Sequence, residues 1–267
     1  MSTLLHKPRL DQALIQNVTT TSAGWHYVEF SVLKLRAADT HAFEAAANRE
    51  YCLTLLCGHA DITVDGHCHE NLGDRRSVFE DKSPFAVYVP PGCRVEIRAR
   101  DDIELAISAA PATGRYPSRL IRPEEMKRSV RGSGSNTRYI CDILPETATA
   151  ESLLVVEVVT PAGNTSSYPP HKHDEQSERE TLLEETYYHR LNPPQGFGFQ
   201  RVYTGDRSLD EAMAIENHDV VLVPKGYHPC ATVHGYDLYY LNTMAGPERR
   251  WQFFNDPDHE WLFRPAP

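Results

Sequence analysis

Short runs in which apolar and polar residues alternate recur along the first half of the chain. Each run is four to nine residues long, rich in Val, Ile, Tyr and Phe, and bounded by Gly, Asp-Gly or Pro-Pro-Gly. Because successive side chains of a strand point to opposite faces, such runs predict β-strands with one buried face. Their close spacing favours an antiparallel sandwich or barrel over alternating strands and helices. The predicted strands are 25–33, 51–56, 60–64, 85–89 and 95–99.

The second half of the chain repeats this pattern, with predicted strands at 153–159, 185–189, 197–203, 219–223 and 238–241. An apolar strand ends in Pro-x-Gly at Gly92 and again at Gly226, 134 residues later. This match indicates a weak internal duplication, in which one small barrel is used twice. A connector rich in Pro and Gly is predicted from Ala110 to about Arg138, with a short helix at 123–128, and the predicted domains are 1–125 and 126–267.

Composition places the chain among globular proteins and restricts the classes of partner that we expect it to bind. It has 267 residues, 40% of them hydrophobic and 24% charged, and a formal charge of −10. The negative charge and the absence of a basic stripe argue against nucleic acid and acidic membranes as partners. No signal peptide and no apolar run near the roughly 20 residues of a membrane span is found. The six cysteines are scattered, so we expect reduced thiols in a cytoplasmic protein.

Two histidines and a third one further on predict a metal site. His171 and His173 are two residues apart, so in a strand their side chains share one face. His228 follows a Pro-x-Gly turn in the same half of the chain, and a glutamate lies between them in sequence. Imidazole nitrogens with one carboxylate suit Zn, Mn, Fe or Ni. The alternative is a hydrogen-bonded polar cluster that plugs the barrel mouth. The first copy has no such histidine after its turn and is predicted to be a degenerate barrel.

The glutamate of this site is either Glu184 or Glu185. These neighbours point to opposite faces of a strand, so only one can be a ligand. Glu185 would place Tyr187 and His189 on the metal face and is the preferred choice. The other choice would place residues 186, 188 and 190 there.

Three further sets of polar residues are candidates for a place in the functional site. Arg201 lies on a predicted strand of the same barrel, where an inward guanidinium would bind a substrate carboxylate, and the alternative is an exposed arginine. His234 is either a second polar group near the site or a turn residue. His67 and His69 follow a hairpin-turn sequence and are predicted to be exposed turn histidines.

Long motifs of unusual composition run through the second half of the chain, and the first half has looser ones. Those of the second half are 166–174, 182–190, 195–197, 200–203, 207–211, 219–229 and 234–242. Through these motifs the chain resembles the 5-deoxy-glucuronate isomerase family of myo-inositol breakdown. The resemblance implies an all-β double cupin, a double-stranded β-helix (jelly-roll) barrel used twice with few short helices. It also implies a zinc site like that of the 4-deoxy-uronate ketol-isomerases, on His171, His173, Glu185 and His228.

Two positions depart from the family pattern. Asn164-Thr165 stands where the family has a tryptophan, which alters packing beside the histidine strand. Asn217-His218 stands where the family has Asn-Gly, in a turn that favours a positive φ. Neither departure touches a predicted ligand.

The resemblance implies conversion of 5-deoxy-D-glucuronate to 5-keto-2-deoxy-D-gluconate by an aldose–ketose isomerase. The metal would polarise the substrate, and a proton would move between adjacent carbons through an enediol, with a hydride shift as the alternative. Tyr187 and Glu184 are the candidate proton-transfer residues, and Arg201 and His234 the candidate substrate-binding residues. A metal-dependent dioxygenase and a non-catalytic sugar-binding bicupin are the competing functions. A homo-oligomer, dimeric or larger, is expected because double cupins expose strand edges and aromatic surfaces.

Overall fold

The first half of the chain folds into a barrel made from two antiparallel sheets. The computed structural model describes residues 2–263. A six-stranded sheet has the order β11-β8-β5-β10-β3-β2 and a four-stranded sheet the order β4-β9-β6-β7. One helix, α1 (Thr20–Ala23), begins after a Thr19 cap. The strands are β2 (Leu14–Val18), β3 (Glu29–Leu35), β4 (Thr40–Glu44), β5 (Arg49–Cys57), β6 (Ala60–Val64), β7 (His67–Leu72), β8 (Phe85–Val89), β9 (Arg94–Ala99), β10 (Ile103–Pro111) and β11 (Arg119–Ile121).

Apolar side chains fill the interior of this first barrel. The alternating burial of β9, exposed then buried along its length, shows one face turned inward and one to solvent. The apolar side chains that meet there are almost wholly buried: Leu33, Leu53, Leu55, Ile62, Val64, Val87, Val89, Val95, Ile97, Leu105. Close packing of this kind stabilises the fold.

The second half of the chain forms a second barrel. Its large sheet has seven strands in the order β1-β20-β17-β22-β14-β13-β12, and β15-β21-β18-β19 face it, with the pair β16-β23 beside them. The strands are β12 (Lys127–Arg131), β13 (Arg138–Leu144), β14 (Leu154–Thr160), β15 (Thr165–Ser166), β16 (His171–Lys172), β17 (Glu184–Asn192), β18 (Phe197–Tyr203), β19 (Asp210–Glu216), β20 (Val220–Val223), β21 (Cys230–Thr232), β22 (Asp237–Ala245) and β23 (Phe254–Asn255).

The two barrels are joined by strands and by buried charges. The N-terminal strand β1 (Leu5–His6) pairs with β20, so the start of the chain completes the sheet of the second barrel. Arg75, which is 2% exposed, forms an ion pair with Glu157 at 2.8 Å. Tyr239 donates a hydrogen bond to the same carboxylate at 2.9 Å. Buried charges remain stable only when paired in this way, so the contact fixes how the barrels dock.

The structure confirms the all-β double jelly-roll that the sequence predicts. It differs at the connector, where residues 123–125 form a 3₁₀ turn and the chain then enters β12 instead of a longer helix. His67 and His69 follow the hairpin turn at Asp65-Gly66, where both residues have positive φ, and lie in β7 beyond the predicted turn. Within residues 2–263, no helix has the length and apolar character needed to cross a membrane.

Candidate metal centre

Three histidines meet inside the second barrel. His171 lies in β16, His173 follows that strand, and His228 follows β20. One ring nitrogen from each of the three lies within 4.8 Å of the others. Gly226 makes the approach of His228 feasible, because its φ is 92° and a Cβ there would lie 2.5 Å from the backbone oxygen of Tyr203.

Backbone carbonyls set the orientation of two of the imidazole rings. His173 Nδ1 lies 3.0 Å from the carbonyl oxygen of Leu183, and His228 Nδ1 lies 2.8 Å from that of Gly226. When the Nδ1 atoms donate to these carbonyls, the Nε2 atoms carry the free lone pairs. Both Nε2 atoms face one carboxylate oxygen, Glu185 Oε2, at 3.0 Å for His173 and 3.2 Å for His228.

The donor set fits a divalent transition metal. His228 Nε2 is buried and, in spite of its 3.2 Å distance from Glu185 Oε2, has no hydrogen bond with acceptable geometry. A buried nitrogen without a partner is costly, and a bound cation at this point would satisfy it. Three imidazoles and one carboxylate are ligands typical of zinc and its neighbours in the first transition row. His171, His173, Glu185 and His228 therefore form a possible metal site.

The electrostatics of the cluster favour ligation. Burial, together with the neighbouring His228 and His173, lowers the pKa of His171 well below its usual value, so its ring is neutral. Burial acts to raise the pKa of Glu185, but its close contacts with His173 and His228 outweigh burial and lower that pKa. A neutral imidazole and an ionised carboxylate are the forms that bind metal ions.

A cavity of about 300 Å³ opens beside the histidines. His171, Glu185 and Tyr187 line one part of it, and residues of β12 and β13, which lie further along the same sheet than β17, line another. The second part brings cationic and acidic side chains to the same space: Lys127, Arg131, Arg138 and Asp142. The volume is suited to a small molecule, at the low end of the range for ligand sites.

Tyr187 lies between the histidine cluster and the cavity. Its hydroxyl is 2.8 Å from Ser167 Oγ, and its ring lies edge-on to His228 at a centroid distance of 5.7 Å. Burial and the negative charge of Glu185 raise its pKa well above 10, so the hydroxyl is protonated at neutral pH. His189, two residues on, stacks on Tyr187 and has a pKa lowered by burial to about 4.

Glu184 lies on the other face of β17 and outside the cavity. Its carboxylate accepts hydrogen bonds from the backbone N–H groups of His26, Tyr27 and Val28 at 2.7, 2.7 and 3.0 Å. These residues belong to the first barrel, so Glu184 joins the two halves of the chain. The position contradicts its assignment as a proton-transfer residue, because its oxygens are already occupied far from the histidines.

The structure also contradicts the predicted inward orientation of Arg201. Its side chain is 46% exposed and forms two hydrogen bonds of 2.7 Å with Asp210 on the outer face of the sheet. The inward residue of this strand is Gln200, which contacts His189 Nε2 at 2.8 Å. His234 is exposed in the turn between β21 and β22 and does not line the cavity, so of its two alternatives the turn applies.

The sequence analysis missed β13, which supplies much of the cavity wall. Arg138, Ile140 and Asp142 alternate along it and all line the cavity. The period-two pattern was present in the sequence, but the preceding Gly-Ser-Gly segment suggested that the connector extended to residue 138. His171 and His173 stood out in the sequence because a glutamate and a histidine after a Pro-x-Gly turn follow them, whereas a single arginine at the start of a strand has no such accompanying pattern.

Comparisons with known proteins give one consistent result. The model of the KduI/IolB family matches residues 4–262. A 5-deoxy-glucuronate isomerase of Geobacillus thermodenitrificans is 53% identical over 258 residues, which are 96% of this chain and 93% of the relative. The 5-deoxy-glucuronate isomerase of Bacillus subtilis strain 168 is 46% identical over 269 residues, 98% of this chain and 99% of the relative.

Solved structures agree with these sequence matches. An IolB-like protein from Salmonella typhimurium LT2 has a TM-score of 0.96 and 48% identity, covering 98% of this chain and 100% of its own. An oxalate decarboxylase of Bacillus subtilis has a TM-score of 0.66 at 13% identity, with 96% of this chain and 80% of its own covered, and is similar in fold alone. Sequence and structure together place the chain in the KduI/IolB family.

Proposed function

We propose that this chain is a metal-dependent aldose–ketose isomerase that converts 5-deoxy-D-glucuronate to 5-keto-2-deoxy-D-gluconate in myo-inositol catabolism. The observation that carries the proposal is the cluster of three histidines and Glu185 at the edge of a cavity sized for a small molecule. The names of the relatives that match nearly the full chain give the substrate.

His171, His173, Glu185 and His228 would hold the metal, and we favour zinc over manganese, iron or nickel. When bound, such an ion supplies Lewis-acid polarisation of the substrate oxygens. The four side chains are buried or half-buried and come from three separate strands and their ends, so the barrel positions them before any ligand arrives. Preorganised ligands of this kind lower the cost of stabilising developing charge.

Tyr187 is the residue that we assign to proton donation. Its hydroxyl lines the cavity, is protonated at neutral pH, and is held by Ser167. Aldose–ketose isomerisation moves a proton between two adjacent carbons and another between their oxygens, so a fixed O–H beside the substrate oxygens assists the second transfer. Its raised pKa makes it a hydrogen donor and not a base in the resting enzyme.

The test of the reaction is a product assay with oxygen uptake followed in the same vessel. The protein should convert 5-deoxy-D-glucuronate to 5-keto-2-deoxy-D-gluconate with no oxygen consumed. Turnover should stop after chelation and return when Zn²⁺ or Mn²⁺ is added. Oxygen consumption in step with product would favour a dioxygenase, and tight sugar binding without any conversion would favour a binding protein.

Replacing Tyr187 by Phe tests the proton donor. We expect kcat to fall by about a hundredfold, since general acid–base groups contribute on the order of 10² to 10⁴, while KM and metal content stay near the wild-type values. Tyr240→Phe is the matched control, because Tyr240 lines the same cavity and bonds Ser166 at 2.7 Å. Equal losses in both variants would refute a specific role for Tyr187.

A further inference from the structure

One cation of the cavity wall has no charged partner. The Arg138 side chain is half-buried, and within residues 2–263 its only hydrogen bonds come from Nη1, which donates to the backbone oxygen and Oδ1 of Asn136 at 3.0 and 3.1 Å. Within the same described residues, the Nη2 and Nε atoms of Arg138 form no hydrogen bond. Burial lowers the pKa of Arg138, which shows that the surroundings disfavour its charge. Arg75, by contrast, which is 2% exposed, is paired with a carboxylate.

The hydroxyl groups near Arg138 do not neutralise it. Burial raises the pKa values of Tyr187 and Tyr240, so both side chains stay neutral at physiological pH. Arg131 is a second cation on the same cavity wall. Arg138 and His171 line the same cavity, and so does the acidic Asp142. Asp142 lies near Arg131 and Lys127, whereas within residues 2–263 Arg138 forms no ion pair with a carboxylate.

The loop before β13 is built to hold this guanidinium. Gly132 has a φ of 76°, and a Cβ there would lie 2.8 Å from Arg138 Nη1 and 2.0 Å from the backbone oxygen of Asn136. Asn136 also donates through Nδ2 to the carbonyl oxygen of Tyr168 at 2.9 Å, three residues before His171. One amide thus links the arginine to the segment that carries the first histidines, so the arginine and the metal cluster are held at a fixed separation.

We infer that Arg138 binds the carboxylate group of the uronate substrate through its free Nη2 and Nε edge, while the other end of the sugar lies at the histidine cluster. A guanidinium offers two parallel N–H groups that match a carboxylate. The inference rests on the proposed function for the identity of the substrate, but the need for an anion comes from the unpaired cation. It assigns to Arg138 the role that the sequence analysis gave to Arg201.

Binding to the metal-loaded protein tests the inference without relying on turnover. The probes are D-glucuronate and its neutral counterpart D-glucuronamide, measured by titration calorimetry. Wild type should prefer the acid over the amide, and Arg138→Gln should weaken binding of the acid by at least about tenfold while leaving the amide unchanged. Arg201→Gln is the matched control and should bind both like wild type, since Arg201 pairs with Asp210 on the outer face.

A second variant and the kinetics complete the design. Arg138→Lys keeps the positive charge but loses the two parallel N–H groups of the guanidinium, so it should retain a weakened preference for the acid. This variant keeps the test valid if Arg138→Gln folds poorly. In the isomerase assay, Arg138→Gln should raise KM more than it lowers kcat. An unchanged preference for the acid in either variant overturns the inference. A wild type that prefers the acid without isomerising anything would refute the proposed function and leave the carboxylate site intact.

Discussion

His218 shows how one residue that departs from the family pattern is accommodated. Its φ is 71°, in the left-handed region where the family has glycine. The side chain is buried between the barrels, and its Nδ1 lies 2.6 Å from the hydroxyl of Tyr188, which in turn donates to Glu104 at 2.7 Å. Burial lowers the pKa of His218 to about 4, and the nearby Arg190 acts in the same direction. The imidazole is therefore neutral and hydrogen-bonded in the folded protein.

This lowered pKa predicts an acid-sensitive contribution to stability. The unfolded histidine gains its proton near pH 6.5, while the folded one resists protonation down to about pH 4, so stability falls as the pH drops through this window. Asparagine tolerates positive φ and does not titrate. Between pH 7 and pH 5, wild type should lose about 2 kcal/mol more unfolding free energy than His218→Asn.

Urea denaturation of both proteins at the two pH values measures the difference. Other buried histidines, such as His189, titrate equally in the two proteins and cancel in the comparison. Identical pH dependence in wild type and variant would contradict the assignment of a neutral, buried His218.

At the residue scale, the sequence was informative where chemistry and spacing coincide. His171 and His173 share a face in an extended segment, and His228 follows a turn that requires glycine, and the structure brings these three predicted residues together. Arg201 and Gln200 are both polar neighbours on one strand, and sequence alone does not show which of them faces inward. That choice depends on the pairing of β18 with β19 and β21, which is set by tertiary contacts.

At the scale of elements, two glutamates that are 134 residues apart each connect their own barrel to the other one. Glu50, near the start of β5, accepts hydrogen bonds from the backbone N–H groups of Glu151, Ser152 and Leu153 at 2.8, 2.6 and 2.7 Å. Glu184, at the start of β17, accepts three from residues 26–28. Each carboxylate thus holds the segment that leads into a strand of the other barrel. This symmetry supports a duplication of one barrel.

Glu184→Gln tests this structural role against the catalytic one. The amide places a donor against backbone N–H groups, so we expect a loss of about 2–4 kcal/mol in unfolding free energy. In the fraction that is folded, kcat should stay within about threefold of wild type, because chemistry at the histidines does not involve this carboxylate. Glu178→Gln, an exposed neighbour in the loop, is the control and should change neither quantity.

The two readouts separate the alternatives. Loss of activity in a Glu184→Gln protein of normal stability would restore the catalytic assignment that its position argues against. Loss of stability with activity retained would support the contact between barrels.

Two of the strands that were not predicted from the sequence have a physical reason in their own residues. β10 is buried on both faces, so it lacks the alternation of polar and apolar residues that marks a half-buried strand. β13 follows a segment rich in Gly and Ser, which resembles a linker although it wraps the Arg138 side chain. Strands with one exposed face, such as β9 and β18, carry the alternation and were predicted within a residue of their bounds.

At the scale of the whole molecule, the buried pair of Arg75 and Glu157 locks the two barrels together. Arg75 also donates to the carbonyl oxygens of Leu56 and Lys82 at 2.8 and 2.9 Å, so its charge is fully coordinated. Arg75→Met leaves a buried carboxylate without its cation, and we expect a loss of about 3–5 kcal/mol. The double variant Arg75→Met/Glu157→Met should be more stable than this single variant.

A double-mutant cycle measures the interaction. It compares the free energies of unfolding of wild type, Arg75→Met, Glu157→Met and the double variant by chemical denaturation. A double variant as unstable as the sum of the single losses would mean that the two side chains do not interact.

The account depends most on one metal ion held by the second barrel. The direct test is to remove metal from the purified protein and titrate Zn²⁺ back while measuring bound metal and isomerisation of 5-deoxy-D-glucuronate together. We predict that activity returns in proportion to metal and saturates at one ion per chain. His228→Ala should neither bind the ion nor regain activity, whereas His234→Ala, which changes an exposed turn histidine, should do both. Full activity in metal-free protein, or in metal-free His228→Ala, would contradict the account.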